Sequence, residues 1–169
     1  MSRLLLLLAA CAIACQSVCA EPARILEKAQ VLPLSLKDEF EFRKTKTFLH
    51  DPDLQRNTID PVLFFERQRL DYGAINDYER RQRHGNYFAF FWRSKRAADL
   101  RVRFEYRQEK LGANVQAKER VYSAAKGSFK TEFEVTGDDY RIDGKVIAWR
   151  VVIIENGTIV ALNQSFLWN

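Results

Sequence analysis

"KVIAWRVVIIENGTIVALNQSFLW", residues 145–168, decides the fold. Its first ten residues are apolar nearly throughout, as in a strand covered on both faces. Asn156-Gly157 then stands between two apolar runs. A type I′ turn needs positive φ at both central residues, and Asn and Gly tolerate it, so this dipeptide predicts a two-residue hairpin. The returning run, "TIVALNQSFLW", is the second strand of that hairpin.

Upstream the period of two persists. In "LRVRFEYRQ", residues 100–108, Leu100, Val102, Phe104 and Tyr106 face one way, and Arg101, Arg103, Glu105 and Arg107 the other. That is a half-buried strand with a charged outer face. "SFKTEFEV" alternates likewise, with Phe129, Thr131, Phe133 and Val135 on one side. "NYFAFFWRSK" (86–95) and "VQAKERVYSA" (115–124) read as further strands, as do "VLFFERQRL" (62–70) and part of "LPLSLKDEFEFRKTKTFL" (32–49). "NDYERRQRHG" predicts a short helix: Asn76 caps it, Glu79 sits at the capping-box distance, and Gly85 ends it. "ARILEKAQ" (23–30) reads as a second short helix. "GDDYRIDG" (137–144) reads as an acidic turn, because its spacing does not match a calcium-binding loop.

The expectation is an all-β chain of seven or eight antiparallel strands with at most one or two short helices. Strands with one solvated face must stack their other faces, which gives a β-sandwich. Residues 21–60 form an N-terminal lead and 61–169 the sandwich domain. The closing hairpin, one strand bearing Trp149 and a last one ending in Phe166 and Trp168, resembles the final strands of immunoglobulin or fibronectin type III-like domains. The resemblance is one of strand spacing, without the Cys…Trp…Cys signature. It implies an immunoglobulin-like sandwich, a scaffold that hosts many unrelated functions.

The chain opens "MSRLLLLLAACAIACQSVCAEP". Arg3 precedes an apolar run from Leu4 to Ala14, too short for a bilayer, which takes about 20 residues. Residues 1–20 therefore read as a secretory signal, cut after Ala20. The alternative is a lipoprotein signal with Cys15, or with a shorter apolar core Cys11, as the lipidated residue. All three cysteines (Cys11, Cys15, Cys19) lie here, and none has histidine partners at a metal-ligand spacing. The expected location is secreted or periplasmic, with a membrane tether only if the chain is lipidated.

Net charge is +5, but it is unevenly spread. Residues 67–110 hold 12 Lys/Arg against 6 Asp/Glu, while 21–66 are net −2 and 111–169 neutral. Arg80, Arg81 and Arg83 lie on the predicted helix. Arg93, Lys95 and Arg96 end a strand, and Arg101, Arg103 and Arg107 share an outer face. Together they are the candidate binding residues for an anionic polymer or a protein partner. The interspersed Glu79, Asp99, Glu105 and Glu109 fit cross-strand ion pairing instead. Nucleic acid is not the expected partner, since no RNA-binding motif is present. His50 and His84 sit in polar, turn-like contexts and read as surface residues, and no G-x-S-x-G elbow accompanies them. No catalytic residue, metal site or cofactor is expected. Tyr87, Phe88, Phe90, Phe91 and Trp92 cover both faces of one strand. One set must enter the core, and the other needs cover from a helix, the lead or a partner.

The function expected from these features is an exported, non-enzymatic binding or structural module of the bacterial cell envelope. The alternative is a secreted glycan-acting enzyme built from carboxylates that the sequence does not pair.

Overall fold

The computed structural model describes residues 22–26, 30–51 and 60–168. In chain order they form β1 (Arg24–Leu26), β2 (Phe40–His50), α1 (Pro61–Asp71), α2 (Asp77–Gln82), β3 (Gly85–Gln108), β4 (Gln116–Thr136), α3 (Gly137–Asp143), β5 (Val146–Glu155) and β6 (Thr158–Gln164). A 3-10 turn, Phe166–Trp168, follows. The expected leader, with Cys11, Cys15, Cys19 and the expected cut after Ala20, lies outside the described residues.

The Asn156-Gly157 turn forms as its residues require, with φ of 49° and 77°, and pairs β5 with β6 antiparallel. The other described strands pair antiparallel too, but as one sheet ordered β1-β4-β3-β5-β6, with β2 also on β3. The two stacked sheets of seven or eight strands expected from the sequence are thus a single sheet of six described strands. The difference lies in β3 and β4, 24 and 21 residues long. Each joins two runs that read separately as strands. Between them the chain bends without leaving the sheet. The β3–β4 register slips between Ser94 and Ala98 and again before Leu100, opposite Ala124 at φ 49° and Gly127 at φ 106°. Bulges of this kind bend and twist a strand rather than ending it.

The bend folds the sheet into two arms. The first holds β2 with residues 85–94 of β3 and 127–136 of β4. The second holds β5, β6 and β1 around residues 100–108 of β3 and 116–122 of β4. Phe88 and Phe104 lie on the same strand, yet their ring centroids are 4.6 Å apart. Phe90 and Phe133 also meet Phe104, at 5.6 and 5.3 Å. Trp92 is buried and donates its indole N–H to Thr131 Oγ1 at 2.8 Å, so its one polar atom is satisfied. Each such side chain contributes roughly 1.5–3 kcal/mol by leaving water. At the open ends, α3 spans from one arm to the other. Gln108 Nε2 donates to the carbonyls of Asp139 and Gly144 (3.0 and 2.8 Å), and the Val146 amide donates to Asn86 Oδ1 (2.9 Å).

Outside the second arm, Val152, Ile154 and Ile159 form a small second core with Leu32 and Leu162. Residues 33–37 run beside β6, whose edge they cover: Ile159 N donates to Pro33 O (2.8 Å) and Lys37 N to Val160 O (3.0 Å).

Four local expectations are corrected. Residues 62–70 are helix, not strand. Asp60 accepts from Val62 N at 2.9 Å and Pro61 opens the first turn, so the cap overrides the β-prone Val-Leu-Phe-Phe. Residues 24–26 are a strand, with Ile25 opposite Lys118, and not a helix. The acidic turn is α3, making three short α-helices among the described residues instead of one or two. Finally, α2 ends at Gln82 with Arg83 as its C-cap, and Gly85 opens β3 instead of closing the helix. At φ 151° its absent Cβ would fall 2.2 Å from Val135 O, so the two strands approach where only glycine fits.

Candidate functional site

The nine basic residues singled out in the sequence fall on three separate parts of the fold. Arg101, Arg103 and Arg107 share the outer face of the second arm, as their alternation requires. There they meet acids from neighbouring strands. Arg103 is buried, with Nε 3.1 Å from Glu119 and a terminal nitrogen 3.9 Å from Glu105. Arg101 reaches Glu119 at 3.6 Å, and Arg150 reaches Glu105 at 2.5 Å. Trp168 folds over this lattice from the 3-10 turn, with the guanidiniums of Arg107 and Arg150 stacked 4.9 and 5.1 Å from its ring. Cation is matched by carboxylate or aromatic face throughout.

At the bend, Arg93 and Lys95 are exposed. Arg96 is held by Glu39 (2.7 Å) and Glu155 (2.6 Å), and Lys37 also reaches Glu155 at 2.8 Å. Burial works to raise the Glu155 carboxyl, but bonds from Lys37 and Arg96 outweigh it and hold the group below its ordinary value.

The third group behaves differently. Asn76 caps α2 by accepting from Glu79 N at 2.9 Å, while Glu79 returns to the Ile75 amide at 2.7 Å. This fixes the direction of α2. Arg83 then ties it to α1 by donating to the carbonyls of Leu70 and Tyr72 (2.7 and 2.5 Å). Between the helices a cleft of about 860 Å³ opens, and Arg80 and Arg81 line it together with Arg67 from α1. Phe64 and Tyr72 supply aromatic walls, and Gln68, Asp71, Asp77 and His84 complete the polar lining. Arg80 meets Asp77 only at 3.5 Å, both largely exposed, which is a weak pair. No serine, threonine or cysteine lines the cleft among the described residues.

Arg67 and Phe64 went unread as site residues because their segment, 62–70, read as a strand, and Tyr72 follows it. One histidine, His50, was misplaced as well. His50 is fully buried, with Nε2 2.8 Å from Asp71 Oδ1 and its ring 5.3 Å from that of His84. It pins the last residue of α1 to the end of β2, and so holds the cleft on the sheet. No group of three histidine, cysteine or acidic side chains is placed to hold a metal among the described residues.

A second, larger groove of about 1340 Å³ runs beneath α1 and around the edge of β4. Its floor is the outer face of the first arm, where Tyr87, Ala89 and Phe91, the set of the aromatic strand that does not enter the core, lie beside Phe48. The Tyr87 phenol donates to Arg83 O at 2.7 Å, and burial pushes its pKa up to about 12. Leu63 and Leu70 of α1 roof the floor only in part. No family model, curated protein or solved structure matches this chain.

Proposed function

We propose that the chain is an exported, non-enzymatic binding module of the bacterial cell envelope that holds an anionic partner in the α1–α2 cleft. The observation that carries this reading is the convergence of Arg67, Arg80 and Arg81 between two aromatic walls. A guanidinium fork matches carboxylate or phosphate in bidentate fashion. The lattice around Arg103 is self-satisfied and serves as structure. Export rests on Arg3 and the short apolar run after it, with removal of residues 1–20. Lipidation at Cys15 or Cys11 is the alternative, and makes the same module membrane-tethered. We read the two facing arms as an immunoglobulin-like sandwich in architecture, supported by the ring contacts between them and by the spacing of the closing hairpin.

The test is fluorescence anisotropy of a labelled polyglutamate with the purified protein at rising salt. Binding should weaken steeply with salt, and Arg80→Glu with Arg81→Glu should weaken it about tenfold or more. Binding indifferent to both salt and the double substitution would remove this reading.

A further inference from the structure

β4 carries two cations on the wrong side of the sheet. Its register sets Lys118 opposite Phe104 and Arg120 opposite Val102. Phe104 and Val102 are fully buried on the inner face, so Lys118 and Arg120 point to the apolar side as well. Neither meets a carboxylate there among the described residues. Lys118 Nζ reaches across to the backbone carbonyl of Glu134 at 2.7 Å. The Arg120 guanidinium lies 6.0 Å from the Phe133 ring, and its Nε is buried without a hydrogen-bond partner. Burial holds Lys118 below the usual lysine range, against a smaller pull from Asp139 and Glu134.

The contrast with the opposite face is informative. On that face Arg101, Arg103 and Arg150 each have a glutamate. A half-buried cation without a paired carboxylate is costly, so two of them side by side mark a place suited to an anion from outside. Both line the large groove. From them, Ala23, Ile25 and Phe133 lead to the apolar floor of Tyr87 and Phe91 under α1. Of the acids lining the groove, Glu132 pairs with Lys130 at 2.5 Å and Glu66 with Arg69 at 2.9 Å, while Glu134, in register with Tyr87, belongs to the outer face and gives Lys118 only its backbone carbonyl. At about 1340 Å³ the space exceeds the roughly 300–1,000 Å³ of an ordinary small-ligand pocket.

We propose that this groove binds an amphipathic anion, an acidic head on a long acyl chain, with the head at Lys118 and Arg120 on the inner face and the chain passing around the edge of β4 onto Phe91 and Leu63. The site is separate from the α1–α2 cleft and does not depend on its role.

Calorimetric titration of the purified protein with sodium laurate, below its micelle-forming concentration, tests this. Dodecyl phosphate, dodecyl maltoside and inorganic phosphate are the comparison probes. Laurate should bind. Dodecyl phosphate should follow if any acidic head serves, while its failure assigns the site to carboxylates. The neutral maltoside and bare phosphate should each bind at least about tenfold more weakly, each lacking one half of the ligand. Lys118→Gln with Arg120→Gln should lower laurate affinity about tenfold or more. Arg120→Lys should retain most of it, and Arg80→Glu with Arg81→Glu should leave it unchanged. A cooperative melting transition at or above the wild-type temperature shows that the variants remain folded. Laurate binding equal in the wild type and the folded Gln variant overturns the proposal. So does maltoside binding equal to that of laurate, or phosphate alone binding as tightly.

Discussion

An inward-facing lysine leaves a signature in the protein's response to pH. Burial depresses the folded-state pKa of Lys118, so above that value the folded protein has released a proton that the unfolded chain keeps until about pH 10.5. Where the unfolded state binds more protons, stability rises with pH. The penalty for burying this cation is therefore full at neutral pH and fades as pH climbs through the folded pKa. Lys118→Met removes the titration altogether. Its stability relative to wild type, read from urea midpoints, should be highest near pH 7 and should fall by pH 10. A difference constant over that range would mean that Lys118 is as well solvated folded as unfolded. Such a residue was invisible in sequence. "VQAKERVYSA" shows charge at alternate positions, but charge normally marks the outer face, and nothing local says that Lys118 and Arg120 point inward. The burial of His50 beside Asp71 was equally hidden, because it depends on a helix landing on the end of a strand.

At the level of elements, the clearest misreading is α1. Val-Leu-Phe-Phe is a strand by propensity, yet Asp60-Pro61 carries a stronger message, a cap followed by a residue whose ring fixes the helical φ. The signal was present in the Asp-Pro pair and in the good helix formers that follow, Glu66 to Arg69. No residue of α1 is buried, and Val62, Phe64 and Phe65 remain largely exposed, so little tertiary packing supports the helix. Its cap should matter correspondingly. Asp60→Ala should cost the helix about 1 kcal/mol. Hydrogen exchange at the amides of 62–65 should quicken several-fold while the global melting temperature hardly moves. Equal protection in the variant would mean that α1 is held by packing after all. α2, by contrast, was readable to within a residue or two, since Asn76 and Glu79 form the box that their spacing announces.

On the scale of the whole molecule, alternation gave the strands and their faces but not their continuity. Residues 86–95 and 100–108 were each legible, as were 115–124 and 128–135. What lay between them looked like turns, because small residues and glycine end a strand as readily as they bend it. The bend decides the architecture, since it brings Phe88 onto Phe104 and lays Trp149 against Phe90 at 5.3 Å. Trp149 thus joins the arms across the fold. Trp149→Ala should cost about 3 kcal/mol and lower the urea midpoint with an unchanged slope. A loss below about 0.5 kcal/mol, the scale of an ordinary surface substitution, would mean that the arms are held without it.

The irregular pairing between Ser94 and Leu100 has one more consequence. In a regular strand, adding or removing one residue turns every later side chain over, which here would drive Arg101, Arg103 and Arg107 into the aromatic core. At the bend the ladder is already out of step. An extra residue there can be absorbed as slack, so each arm keeps its own phase. Length variation is thus tolerable at the crease and ruinous on either side of it, and that is where natural insertions in this chain should concentrate.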